Sequence, residues 1–143
     1  MPFVSVTRLH LRSKWYYPSF IISSYRAAAQ ARRSAGFITG VLGGDAHGAG
    51  WTLTVWESEP AMRAYRNSGL HMRVMPKLLE WCDEASFAHW AVDDPALPSM
   101  EEAHRRMITD GRLSKVNHPS SAHAAGRTAM EGPPRVGLTL TRR

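Results

Sequence analysis

The chain has one cysteine, Cys82, among its 143 residues. A single thiol excludes an internal disulfide framework and fits a reducing compartment, so a cytoplasmic location is expected. No run of 18 or more apolar residues occurs, which argues against a membrane-spanning helix. The opening stretch, MPFVSVTRLHLR, is broken by Arg8 and His10 and is too polar for a signal-peptide core. Repeats are absent, and so is the G-x-S-x-G turn of a serine nucleophile. The glycine-rich stretch Gly43-Gly44-Asp45-Ala46-His47-Gly48 lacks a Gly-Lys-Ser/Thr ending and does not lead into a helix. It therefore reads as a flexible hairpin tip with an exposed His47, not as a phosphate loop.

What remains is an ordinary globular composition. A hydrophobic content of 43% is enough for one core, and the length fits one domain with an appendage. The net charge of +6 raises the question of nucleic acid. Its basic residues are scattered pairs, Arg32-Arg33, Arg105-Arg106 and Arg142-Arg143, and no helix-turn-helix, zinc-finger or RNP pattern accompanies them. Attraction to an anionic small substrate explains the charge as well, and a nucleic-acid partner is not expected.

Residues 2–12 favour a strand, and residues 19–35 a helix that stops at Gly36. Residues 37–42 and 51–57 form a hairpin. In the second of these strands, alternation puts Trp51, Leu53 and Val55 on one face and Thr52, Thr54 and Trp56 on the other. The second set, polar and aromatic, suits a pocket wall. Ser58 caps a helix, Asn67-Ser68-Gly69 interrupts it, and a second helix runs over about 70–83, bent at Pro76. Met75, Leu78, Leu79 and Cys82 make its buried side, with Cys82 an inert thiol there. A fourth strand covers 86–92.

The order β-α-β-β-α-β is a ferredoxin-like α+β unit over residues 1–95. Its helices cover one sheet face only, and a second copy of the chain is the economical cover for the other. Residues 96–143 form an extension: a helix over about 99–111 with Ser99 and Glu102 as a capping box, then an irregular tail with a short strand or disorder near its end.

The stretch WTLTVWESEPAMRAYRNSGLH and the following MPKLLEWCDEASFAHW carry a further signal. With the hairpin before them they resemble the antibiotic-biosynthesis-monooxygenase-like proteins, a group of dimeric α+β barrels, over about residues 3–92. The resemblance implies a homodimer with a cavity between sheet and helices in each subunit. It also implies one of several activities. Some members are cofactor-independent oxygenases of electron-rich polycyclic phenols, some bind and degrade haem, and others are cyclases or isomerases.

The expected function is therefore a monooxygenase-like enzyme of secondary metabolism, acting on a hydrophobic, aromatic small molecule without a cofactor. His71 is the expected base, with Asn67 or Arg66 holding the oxyanion. Trp56, Trp90, Tyr65 and Thr54 are the expected substrate contacts, joined by His89 if its side of the fourth strand faces the cavity. One alternative is a haem protein with His71 as axial ligand, although the Asn-x-x-x-Trp-x-x-x-His arrangement of haem-degrading members is absent. Another is a non-catalytic interaction domain. No metal site is expected, because His118 and His123 lack a recognised spacing.

Overall fold

The computed structural model describes residues 1–142, and of Leu70 and His71 the backbone only. Strand β1 (Phe3–Leu11) is followed by a 3-10 turn and helix α1 (Tyr17–Arg33). Next come β2 (Phe37–Gly44), β3 (Gly50–Trp56), α2 (Glu59–Arg66), α3 (Gly69–Trp81) and β4 (Cys82–Ala91). The extension adds α4 (Met100–Asp110), β5 (Arg112–Leu113), α5 (Ser121–Ala124) and β6 (Arg135–Thr141). All strands pair antiparallel in one six-stranded sheet, in the order β5-β4-β1-β3-β2-β6. The fold is α+β and ferredoxin-like at its centre. Both edge strands come from the segment that reads as an appendage in sequence. Among the described residues, no helix is long and apolar enough to cross a membrane.

Register decides what each sheet face carries. Val4 lies opposite Val55 and Trp90, Val6 opposite Leu53 and Ala88, and Arg8 opposite Trp51 and Ser86. Directly opposed residues share a face, so these form the first face, and all of them are buried. The cover is the chain's own α4, which lays Met100, Ala103 and Met107 on that face together with Ala129. Those three residues recur at i, i+3 and i+7, the stripe of a half-buried helix. The open face that pointed to a second copy of the chain is thus occupied from within.

The first face also buries a charge network. Arg8, 1% exposed, donates from Nε to Asp45 at 2.9 Å and from Nη1 to Glu84 at 2.7 Å. Its Nη2 has no partner among the described residues. Ser120 donates to the other Glu84 oxygen at 2.8 Å, which ties the tail to the sheet. Asp45 also accepts from the Trp51 indole and from the amides of His47 and Ala49. The expected flexible hairpin tip is therefore fastened at Asp45, while His47 is exposed as expected. Burial alone would raise the Asp45 pKa, but the bonds from Trp51, Ala49 and Arg8 outweigh it and hold the carboxyl below its ordinary value.

The second face carries Phe3, Ser5, Thr7, Thr52, Thr54, Trp56, Phe87 and His89. Helices α1, α2 and α3 lie over it, burying Trp56 and Thr54 but leaving Phe3, Ser5, Thr7, Phe87 and His89 only half-buried. The expected break after Asn67 is present. Gly69 takes φ +57°, and a Cβ there would lie 2.9 Å from the Gln30 side chain, which itself donates to the Ser68 carbonyl. Only glycine takes both that backbone conformation and that neighbour without strain. The fourth strand begins earlier than expected, so Cys82 stands on β4 and not on a helix. It is fully buried, and its thiol pKa is pushed up to about 12 by burial and by Asp83.

Candidate functional site

A cleft of about 390 Å³ opens where the half-open second face meets the β4 edge of the sheet. That volume lies within the range of small-molecule sites. Its walls come from four places: Phe3 of β1, Glu59, Arg63 and Arg66 of α2, Phe87 and His89 of β4, and Asp110 and Arg112 at the end of α4 and on β5. The extension thus supplies part of the cleft. Gly111 makes that possible. Its amide bonds the Met107 carbonyl at 3.0 Å, closing α4, and a Cβ there would collide with that same carbonyl. Arg112 then pairs with Phe87 and stands beside it on the second face.

His89 is the group in the cleft suited to proton transfer. Its ring lies between Phe3, at 5.7 Å between centroids, and Phe87, at 5.1 Å. No hydrogen bond to either ring nitrogen is found among the described residues. Burial, and then the charges of Arg66 and Arg63, lower its pKa below the ordinary histidine value, so the ring is neutral at pH 7. A neutral imidazole with a free lone pair is a competent base.

The other expected site residues divide. Arg66 lines the cleft with His89. The side chain of His71, the expected base or haem ligand, lies outside the described residues. Asn67 is the exposed C-cap of α2, and its amide bonds the carbonyls of Arg63 and Tyr65. Trp56 and Trp90 do not share a wall, because the register puts Trp56 opposite Phe3 and Trp90 opposite Val4, on different faces. Trp56 is core: its indole donates to Thr54 Oγ1 at 2.9 Å, and its ring stacks on Tyr65 at 5.1 Å. Thr54 is thereby an internal partner of Trp56. Tyr65 donates to the Ala27 carbonyl at 3.1 Å, and burial raises its pKa. Trp90 sits under α4 with the Arg106 guanidinium over its ring at 5.1 Å.

Arg63 and Arg112 are absent from the sequence-based site. Arg63 had a signal, lying three residues before Arg66 on the same helix face. Arg112 had none, because its place depends on the extension folding back along β4.

His10, Asp83 and Glu84 bring ligand-type atoms within 4.8 Å of one another. Each is already committed. His10 Nδ1 meets Asp83 at 2.6 Å, and the two Glu84 oxygens accept from Arg8 and Ser120. Glu84 belongs to the buried network, and His10 and Asp83 form a half-buried pair beside it. His118 contacts Glu80 and His123 the Ser114 carbonyl, so these two do not converge.

This architecture defines a fold class: a ferredoxin-like antiparallel sheet with a cleft between sheet and helices. Solved structures share it. Rv0793 from Mycobacterium tuberculosis superposes with a TM-score of 0.61 at 16% identity, covering 67% of this chain and 99% of that one. SnoaB, a cofactor-independent oxygenase from Streptomyces nogalater, gives 0.55 at 17%, covering 68% and 98%. A protein from Nitrosomonas europaea, provisionally named an antibiotic biosynthesis monooxygenase, gives 0.56 at 11%, covering 66% and 93%. Identities this low establish the fold and leave the reaction open. No curated protein sequence matches the chain. Residues 17–115 match the family described as domain of unknown function DUF3291, and the chain belongs to that family. The matched segment runs through α4 to β5, so it includes the cover of the first face and Arg112.

Proposed function

We propose that this protein is a monooxygenase-like enzyme that oxidises a hydrophobic, aromatic small molecule in the His89 cleft. The observation that carries the reading is His89 itself, a neutral, half-buried histidine between two phenyl rings with arginines on the same cleft wall. His89 takes a proton from an acidic C–H or O–H of the substrate. Arg63, Arg66 and Arg112 stabilise the negative charge that develops. The electron-rich anion then reduces dioxygen and forms a C–O bond. Where the carbon is a ring methylene, collapse of the hydroperoxide gives a ketone and one water, which balances CH2 plus O2. No step calls on a bound cofactor, as in the oxygenase SnoaB, whose fold this chain shares.

The haem alternative rested on His71 and has no observation among the described residues in its favour. Packing of α4 on the first face supports a homodimer, of the kind the resemblance implies, that forms on another surface.

The test is dioxygen uptake with a polycyclic anthrone or hydroquinone. Loss of a general base costs about 100-fold or more, so His89→Gln should fall by that much. Full uptake in His89→Gln together with loss in His71→Ala would move the base to α3 and sink the assignment to this cleft.

A further inference from the structure

We infer that the cleft selects aromatic carboxylates, with Arg112 as the residue that binds the carboxylate. This rests on the cleft being the substrate site, and it does not require the reaction to be an oxygenation. Three arginines and two acidic groups line the cleft. The acids are spoken for. Glu59 pairs with Arg63 at 3.3 Å, and Asp110 pairs at 3.3 Å with Arg106, which is not a lining residue. Neither acid is paired with Arg112. The field at His89 has the matching sign, since Arg66, Arg63 and Arg112 all disfavour its protonation and Glu59 alone opposes them among its leading influences.

Arg112 differs from the other two. It is exposed, and it has no hydrogen bond or ion pair among the described residues. Its backbone is nonetheless fixed, between the closed end of α4 and the pairing of β5 with Phe87 and Ser86. Directly opposed side chains on one sheet face lie about 5 Å apart at Cβ. A flat aromatic ring on Phe87 or Phe3 thus presents a ring carboxylate toward the Arg112 fork, which pairs with carboxylates in a bidentate geometry that lysine lacks. A neighbouring apolar wall and a guanidinium carried on fixed backbone are the two parts that aryl acid recognition needs.

The test uses the whole protein and two probes of the same ring size, 1-hydroxy-2-naphthoate and 1-naphthol, in calorimetric titrations. The expected result is at least tenfold tighter binding of the acid, weakened by added salt. In Arg112→Met the preference disappears while naphthol affinity holds, which also shows that the variant is folded. Arg112→Lys recovers only part of the preference. An exposed control, Arg105→Met on α4, leaves it unchanged. Equal affinity for the two probes, binding of neither, or an intact preference in Arg112→Met would each overturn the inference. If the acid is preferred through Arg112 but no oxygen is consumed with any aryl acid, the oxygenase reading fails and this one stands. Oxygen uptake that depends on His89 without a preference for the acid gives the reverse.

Discussion

The two faces of one sheet have been put to different uses. The first is closed by α4, filled with Val4, Val6, Leu53, Val55 and Trp51, and crossed by the Arg8 network. The second has three helices over it and is still half-open, with serine, threonine, phenylalanine and a histidine along it. Composition alone would predict that the face with more helices is the better packed. The reverse holds because closure depends on what the covering helix presents. Helix α4 presents Met100, Ala103 and Met107, whereas α2 presents Met62 to the core and Arg63 and Arg66 to the cleft. One face supplies stability, and the other keeps the room that binding requires, with His89 and Arg112 along it.

The contrast can be broken by substitution. Arg8→Ala leaves Asp45 and Glu84 buried without their cation, and should cost about 3–5 kcal/mol. Thermal denaturation would then fall by about 10 °C or more. Met107→Ala opens a cavity under α4 and should cost about 2–5 kcal/mol in denaturant titrations. Thr54→Val removes the acceptor of the buried Trp56 indole, for a loss of about 1–3 kcal/mol. His89→Ala should change stability by less than about 0.5 kcal/mol. A loss above 2 kcal/mol there would mean that the second face is core like the first, and the contrast would be gone.

Acid sharpens the same comparison. Asp45 and Glu84 are both held below their unfolded-state pKa values. Burial works against that shift, and the bonds from Trp51 and Ala49 to Asp45, from Ser120 to Glu84 and from Arg8 to both overcome it. Their contribution is complete above the ordinary carboxylate range of about 4 and is lost as pH falls through the lower folded-state values. The first face should therefore fail in strong acid. On the second face, the lowered pKa of His89 keeps the base form present below the ordinary histidine value of about 6.5. The acid limb of kcat/KM should accordingly lie below that pH, and it should be absent from the residual rate of His89→Gln.

Much of the fold was legible because its signals are local. Alternation marked the strands, Ser58 and Ser99 capped helices, and Gly69 marked the break. The start of β4 was missed because Leu78, Leu79 and Cys82 continue a helical stripe, and only pairing with β1 overrides it. The site was less legible, since facing depends on register between strands far apart in sequence. Trp56 and Trp90 look alike as aromatic strand residues, but they stand on opposite sides of the sheet. The stripe on α4 was present in the sequence, but nothing local says which surface a helix will cover.

The pairing of β6 with β2 has a consequence for how the chain is made. Thr39 donates to the Leu140 carbonyl across 101 residues, and Val41 faces Thr139. Contacts of such separation form late, since loop closure must be completed before they return any energy. On the ribosome, β2 is therefore synthesised long before β6 can reach it. Until then the β2 edge is an unpaired strand carrying Ile38, Val41 and Leu42, open to any other extended segment. Substitutions that slow β6, such as a proline at Leu138, should show first as aggregation during expression and only later as a loss of equilibrium stability.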